Sequence, residues 1–110
     1  MIEGILGTKT AEKIMLHIYH YGETHPSVIA RDCGISKTAV VNQLDRFERA
    51  GILVSKLAGR TRLYMFNPKS PFFNPFREII QIAYESIPIE KRADLFSARR
   101  RPRRKGKPIL

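Results

Sequence analysis

Residues 26–51, PSVIARDCGISKTAVVNQLDRFERAG, form the stretch that decides the predicted fold. The stretch begins with a short helix, Pro26 to Asp32, in which Val28 and Ile29 face a core. Gly34 follows this helix, and glycine most easily takes the left-handed conformation that a sharp turn needs. The first third of the stretch therefore predicts a short helix that ends in a tight turn.

A second helix is predicted from Ser36 onward, because a serine oxygen caps the first free N–H groups of a helix. Its apolar positions recur at helical spacing and face inward. They are Val40, Leu44 and Phe47. Its outward face is polar and partly basic, with Thr38, Val41, Asn42, Asp45, Arg46 and Arg49. The two helices together predict a helix-turn-helix, although a turn containing glycine also occurs in other small helical domains.

After Gly51 the spacing of the apolar residues changes from the period of a helix to that of a β-strand. Residues 52–58 and 63–66 predict two strands of a hairpin, and Asn67-Pro68 ends the second strand. The tip between them carries Arg60 and Arg62 beside a glycine, which suits contact with phosphates or entry into a minor groove. A solvated hairpin tip is the alternative interpretation. The predicted order of elements is that of a winged helix, namely helix, turn, helix and hairpin.

Helices are also predicted on both sides of this unit. Thr8 or Thr10 can cap a first helix that ends near Tyr21, with a broad apolar face. Asn74 followed by Pro75 predicts the start of another helix, Phe76 to Ile87. The helix Phe76 to Ile87 carries more apolar surface than one face of a small domain needs. We therefore expect a homodimer that forms through this helix and the first helix. The alternative is a helix that is wholly buried in its own core.

The expected fold class is mainly α with a small β-hairpin, an α+β winged helix-turn-helix with added N- and C-terminal dimerisation helices. Residues 1–88 are predicted to form that domain, including the dimerisation helices. Residues 89–98 are expected to add a short helix anchored by Ala93, Leu95 and Phe96. Residues 99–110 are expected to be a flexible basic tail, because they bury nothing.

The charge of the chain points to a polyanionic partner. The formal net charge is +10, and seven of the basic side chains lie in residues 99–110, which leaves +3 for the rest. The single Cys33 cannot form an internal disulfide, and no apolar run is long enough to span a bilayer. We therefore expect a cytoplasmic, nucleoid-associated protein with no membrane contact.

Candidates for chemistry are few. His17, His20, His25 and Cys33 invite a metal hypothesis, but no carboxylate or second cysteine completes a ligand set at a suitable spacing. No nucleophilic triad, phosphate-binding glycine loop or pair of carboxylates can be named either. The sequence therefore predicts a protein without metal, cofactor or enzymatic activity.

A family resemblance covers about residues 5–76. The segments LGTKT, CGISKTAVVNQLDRFERAGIL, GRTRLYMFNP and KSPFFNPF are similar to the ArsR-type winged helix-turn-helix transcription regulators. Within these regulators the chain most resembles the metal-free branch, whose members often precede a nucleotidyltransferase-like domain. The resemblance implies dimeric, sequence-specific DNA binding. Metal control is not implied, because Cys33 stands alone and residues 76–87 hold no histidine, and the basic tail leads us to expect no nucleotidyltransferase-like domain.

The resemblance also implies which residues bind DNA. By position it implies base or phosphate contacts from Lys37, Thr38, Val41, Asn42 and Arg46. It implies contacts with the DNA backbone or the minor groove from Arg60 and Arg62. The full set of expected DNA-binding residues is Ser36, Lys37, Thr38, Val41, Asn42, Arg46, Arg49, Lys56, Arg60, Thr61 and Arg62.

The expected function is that of a transcription regulator that binds double-stranded DNA as a homodimer. In the major groove Asn42 can pair with adenine, Lys37 or Arg46 can reach guanine or phosphate, and Val41 can touch a thymine methyl group. Two copies would place their helices about 34 Å apart on a near-palindromic site. Two alternatives stay open: an RNA-binding or nucleic-acid-coating module dominated by the tail, and an adaptor that docks a separate enzyme.

Overall fold

The computed structural model describes residues 1–96, apart from the side chain of Asp94. These residues form six helices and one antiparallel pair of strands, which agrees with the predicted mixture of α and β structure. In chain order the elements are α1 (Glu3–Leu6), α2 (Lys9–Tyr21), α3 (Pro26–Cys33), α4 (Lys37–Arg49), β1 (Leu53–Ala58), β2 (Thr61–Phe66), α5 (Phe73–Glu85) and α6 (Ile89–Leu95). The prediction for residues 99–110 lies outside the described residues, as do the last two residues of the predicted helix 89–98.

The turn between α3 and α4 is built as the sequence predicts. Gly34 has φ 67° and ψ 38°, a left-handed conformation that side chains with a Cβ rarely adopt. The Ser36 hydroxyl oxygen accepts a hydrogen bond from the Ala39 N–H at 3.2 Å, which caps α4. Val28 and Ile29 are buried, so α3 faces the core as expected. The turn therefore fixes the direction in which α4 leaves the core.

The hairpin is joined to the segment between α2 and α3. The strands pair from Leu53 with Phe66 to Ala58 with Thr61, and Gly59 at the tip has φ 64°. At the other side of β2, the Thr24 N–H donates to the Tyr64 carbonyl at 3.1 Å, and the Tyr64 N–H donates to the Thr24 carbonyl at 2.8 Å. This isolated bridge adds a third backbone segment to the sheet. It was not predicted from the sequence.

The core is arranged around α2. Its side chains Ile14, Met15 and Ile18 have no exposed surface, and they pack with Ile29, Val40, Leu44, Leu53 and Ile80 from the surrounding elements. Leu16 and His17 of α2 are buried as well, so this helix is covered on more than one side. Burial of this apolar area provides most of the stabilisation that holds α4 and the hairpin in place.

Two details of the C-terminal helices differ from the prediction. α5 begins at Phe73 rather than Phe76, and no side chain caps it. Pro75 fits inside this first turn, because an N–H there has no acceptor within the helix. Leu95 was expected to anchor α6, but 44% of its surface is exposed, whereas Phe96 is buried with 3% exposed. Phe96 therefore anchors the C-terminal end of the described residues to the core.

No helix within residues 1–96 is both long and apolar enough to cross a bilayer.

Candidate nucleic-acid interface

The first turns of α4 present four of the expected side chains on one face. Lys37, Thr38, Val41 and Asn42 are all exposed, and they line one shallow depression together. Their spacing explains this grouping, since residues three and four positions apart are neighbours on a helix surface, as Thr38 and Val41, Lys37 and Val41, and Thr38 and Asn42 are. Ser36 is exposed too, but its hydroxyl is engaged in the cap of α4. The face offers a cation, an amide, a hydroxyl and an apolar methyl surface side by side.

Arg46 is engaged with another part of the protein. Its Nη2 donates to the Leu6 carbonyl oxygen and to Gln43 Oε1, both at 2.8 Å, and its Nε donates to the same Gln43 oxygen at 3.1 Å. The guanidinium carbon also lies 4.4 Å from the centre of the Phe47 ring. These contacts leave only Nη1 without a hydrogen bond to the described residues. Arg46 thus joins α4 to the end of α1, a role that the sequence did not reveal.

Arg49 and Asp45 form an exposed ion pair on the last turns of α4, with 3.0 Å between Nη1 and Oδ2. Such i,i+4 pairs are weak in water, so the arginine can exchange this partner for a phosphate at little cost. The pair also neutralises the carboxylate that would otherwise repel a polyanion from this end of the helix. Arg49 therefore lies on the expected face but is not a free cation in the unbound protein.

The hairpin carries its expected residues on two faces. Arg60 and Thr61 are exposed at the tip. Arg62 pairs with Leu57 across the strands, whereas Lys56 pairs with Leu63. Since side chains alternate along a strand, Lys56 and Arg62 lie on opposite faces. Lys56 also forms an ion pair with Glu23 at 3.5 Å.

A short chain of hydrogen bonds connects the hairpin to α4. Nη1 of Arg62 donates to the Ser55 hydroxyl at 2.9 Å, and that hydroxyl donates to Glu48 Oε2 at 2.6 Å. The chain fixes the orientation of Arg62 through a carboxylate on the neighbouring helix. The sequence contained no signal for it, because the three residues belong to three different elements.

A buried polar pair joins α2 to α3. His17 Nε2 and Asp32 Oδ2 are 2.6 Å apart, and neither side chain has exposed surface. The position of His17 beside Ile14 and Ile18 in the apolar stripe of α2 is the signal that could have predicted its burial. Within residues 1–96 no group of three or more histidine, cysteine, aspartate or glutamate side chains is placed to hold a metal ion.

Burial raises the pKa of the neighbouring Cys33 thiol from 9.0 to about 11. Burial is the largest cause of this shift; the value also includes a smaller increase caused by the Asp32 carboxylate and an opposing decrease caused by Lys13. The thiol is therefore protonated at neutral pH and has little nucleophilic character.

Compared with the models of known protein families and with curated protein sequences, the chain gives no significant match to either.

Proposed function

We propose that this protein is a winged helix-turn-helix regulator of the ArsR type that binds double-stranded DNA in a sequence-specific way. The observation that carries the proposal is the exposed face of α4, where Lys37, Thr38, Val41 and Asn42 line one surface. A helix that follows a tight turn and presents mixed donors, acceptors and methyl groups suits base readout in the major groove.

Each side chain of this face has a chemical role in the proposal. The Asn42 amide offers a donor and an acceptor to the edge of an adenine, and the Val41 methyl groups can pack on the methyl group of a thymine. Lys37, in the first turn of α4, can reach a guanine or a phosphate. Thr38 supplies a hydroxyl for either. Base recognition therefore rests on the N-terminal half of α4.

The arginines have positioning roles in the same proposal. Arg60 at the hairpin tip contacts the backbone or enters the minor groove, as phosphate contacts orient a protein without specifying sequence. Arg62 exchanges Ser55 for a phosphate. Arg46 keeps α1 in place through Nη2 and offers only Nη1 to DNA, so we assign it phosphate contact rather than base recognition.

The active form in this proposal is a homodimer. Ile82 on α5 is 64% exposed and Phe72 just before α5 is 62% exposed, whereas the apolar side chains of α2 are used within the chain. A surface with large exposed apolar side chains is the expected place for a second copy to pack. We therefore place the centre of the dimer contact on α5, and two copies of α4 about one duplex turn apart.

The proposal is tested by selecting bound duplexes from a random pool and then comparing two variants on the selected site. Asn42→Ala should weaken specific binding by roughly 1 to 3 kcal/mol and leave binding to unrelated duplexes nearly unchanged. Lys91→Ala, which removes an exposed side chain from α6, a helix outside the proposed recognition face and the proposed dimer contact, is the control and should leave the ratio of specific to non-specific binding unchanged. Equal losses for Asn42→Ala on all sequences, or no enriched sequence at all, would contradict the proposal.

A further inference from the structure

An open depression lies where α2, β2 and α5 meet. Its volume is about 440 Å³, counted to its open mouth. Most of its wall is apolar or aromatic, and one arginine lines it as well. The side chains that matter here are Ile18 and Tyr19 of α2, Met65 and Phe66 of β2, and Phe73 and Arg77 of α5. The depression has room for one aromatic ring with a short substituent, and none of the proposed DNA contacts lines it.

Arg77 brings a positive charge to this depression. The residue is exposed, and its guanidinium carbon lies 5.5 Å from the centre of the Tyr19 ring, which places the charge beside the aromatic wall. The guanidinium group forms no hydrogen bond and no ion pair with residues 1–96. Within the described part of the chain, no acidic side chain lines the depression either. The charge is therefore available to an anion from solution.

The aromatic walls of the depression are held by neighbouring rings. Tyr19 packs on Tyr84 with 5.0 Å between the ring centroids. Phe66 packs on Phe76 in an edge-to-face arrangement with 6.1 Å between the centroids. Because these rings are already oriented, a ligand that binds between them loses little of its affinity to ordering the wall. Aromatic walls favour a flat aromatic ligand, which can pack on them edge to face or offset-stacked.

We propose that the depression binds a small aromatic carboxylate, whose ring packs against Tyr19, Phe66 and Phe73 and whose carboxylate pairs with the guanidinium of Arg77. A guanidinium group matches a carboxylate in a planar pair of two parallel hydrogen bonds. One arginine balances one negative charge, so a monocarboxylate suits the site better than a phosphate ester, which carries nearly two. The wall and the cation together select a flat anion of single charge.

The depression stays accessible in the proposed homodimer. Successive residues of a helix are rotated by about 100°, so Ile82, nine positions after Phe73, faces the opposite side of α5. Ile82 is the centre of the proposed dimer contact. A second copy that packs on Ile82 therefore leaves the side of α5 with Phe73 and Arg77 open to a ligand.

The depression also connects the hairpin to α5. Met65 and Phe66 end the strand that begins with Thr61, next to the arginines of the hairpin tip, whereas Phe73 belongs to the helix of the proposed dimer contact. A ligand that bridges the two elements can change the DNA affinity of the homodimer, a consequence that rests on the proposed function. Binding of the carboxylate itself does not depend on DNA and is measured without it.

The test is a titration of the full chain with sodium benzoate at constant ionic strength, followed by the amide resonances in NMR spectra. We expect saturable shifts centred on Tyr19, Met65 and Phe73, with a dissociation constant in the millimolar range that suits a ligand of so few atoms. Benzyl alcohol keeps the ring without the charge and should bind about tenfold more weakly. Cyclohexanecarboxylate keeps the charge without the flat ring and should bind severalfold more weakly.

Two substitutions of exposed arginines provide a matched comparison. Arg77→Gln removes the charge and should weaken benzoate binding about tenfold while it leaves binding of benzyl alcohol unchanged. Arg31→Gln removes an exposed cation from α3, outside the depression, and should bind benzoate like the parent chain.

The proposal is overturned if benzoate causes no saturable shifts at these residues, if benzyl alcohol binds equally well, or if Arg77→Gln binds benzoate like the parent chain. These outcomes concern the depression alone. The absence of an enriched DNA sequence would overturn the proposed function and leave the carboxylate site standing, so the two failures are distinguishable.

Discussion

Arg46 Nη2 donates a hydrogen bond of 2.8 Å to the carbonyl oxygen of Leu6. This bond joins the last turn of α4 to the C-terminal residue of α1, forty positions earlier in the chain. A carbonyl at the end of a helix has no partner inside that helix, so the guanidinium provides the missing donor. The position of α1 against the rest of the protein therefore depends on a residue of the proposed recognition helix.

Arg46→Ala should lower the free energy of unfolding by about 1 kcal/mol, because it removes a charged donor from a partly buried carbonyl. Urea denaturation followed by circular dichroism measures this change. Arg49→Ala is the matched control, since its exposed ion pair with Asp45 should contribute less than about 0.5 kcal/mol. Equal effects of the two substitutions would show that the bond to Leu6 does not stabilise the protein.

Thr24→Val should leave the protein equally stable or stabilise it by up to about 1 kcal/mol. The Thr24 side chain has no exposed surface, and its hydroxyl oxygen has no hydrogen-bond partner among residues 1–96. Valine keeps the shape of the side chain and removes the buried polar atom, while the backbone bridge to Tyr64 stays intact. Thermal unfolding measures the effect. Thr24→Ala serves as the comparison, and the cavity it leaves should make it clearly less stable than Thr24→Val.

The Cys33 thiol should react slowly in the folded protein. Because its pKa is raised from 9.0 to about 11, the thiolate fraction at pH 8 falls about a hundredfold, and alkylation by iodoacetamide should slow by a similar factor relative to the unfolded chain. Mass spectrometry over time, with and without urea, measures both rates. Equal rates in the two conditions would mean that the thiol is not buried.

The same thiol makes stability depend on pH above neutrality. Between pH 9 and pH 11 the folded state keeps the proton that the unfolded state has lost, so the stability contributed by this group falls as the pH rises. Below pH 9 both states are protonated and the group has no effect. The parent chain should therefore lose stability between these pH values more steeply than Cys33→Ala. Urea unfolding at a series of pH values provides the measurement, and parallel curves would contradict it.

Arg60→Ala should weaken DNA binding to a similar extent on all duplexes, because a hairpin tip that contacts phosphates carries no base specificity. The slope of log affinity against log salt should decrease by about one unit. Lys69→Ala removes an exposed cation from the connector after β2 and should leave that slope unchanged. A loss confined to the preferred site would instead assign base recognition to Arg60.

Ile82→Glu should shift the homodimer to monomer, since it places a charge in the proposed apolar contact. Sedimentation velocity over a range of concentrations measures this shift. Leu57→Glu changes a residue of nearly equal exposure on the hairpin, 63% against 64%, and should leave the dimer intact. A parent chain that stays monomeric at every concentration would exclude this contact.

The sequence predicted the local structure well where one residue determines it. Gly34 marked the turn, Ser36 marked the start of α4, and the inward positions of that helix are buried. Outward side chains could also be identified, because helical periodicity reports which face a residue occupies. Periodicity does not report what that face meets in three dimensions.

Contacts between distant segments could not be predicted for this reason. Arg46 looked like a free cation on an exposed face, but its partner Leu6 lies in a segment too short to classify from sequence. His17 and Asp32 are fifteen positions apart in different helices, and only the packing of α2 on α3 brings them together. The start of α5 was predicted too late because Asn74 and Pro75 resemble a helix start even when they lie inside the first turn.

The bridge between Thr24 and Tyr64 has a consequence for self-association. The unpaired backbone groups at the edge of a β-sheet are a template on which another molecule can add a strand. The backbone of Thr24 already forms hydrogen bonds with the N–H and the carbonyl of Tyr64. Another molecule therefore cannot add a strand to β2 at this residue. Farther out, Arg60 and Arg62 place like charges on every copy of the hairpin, so that electrostatic repulsion opposes amyloid-like stacking of the hairpins.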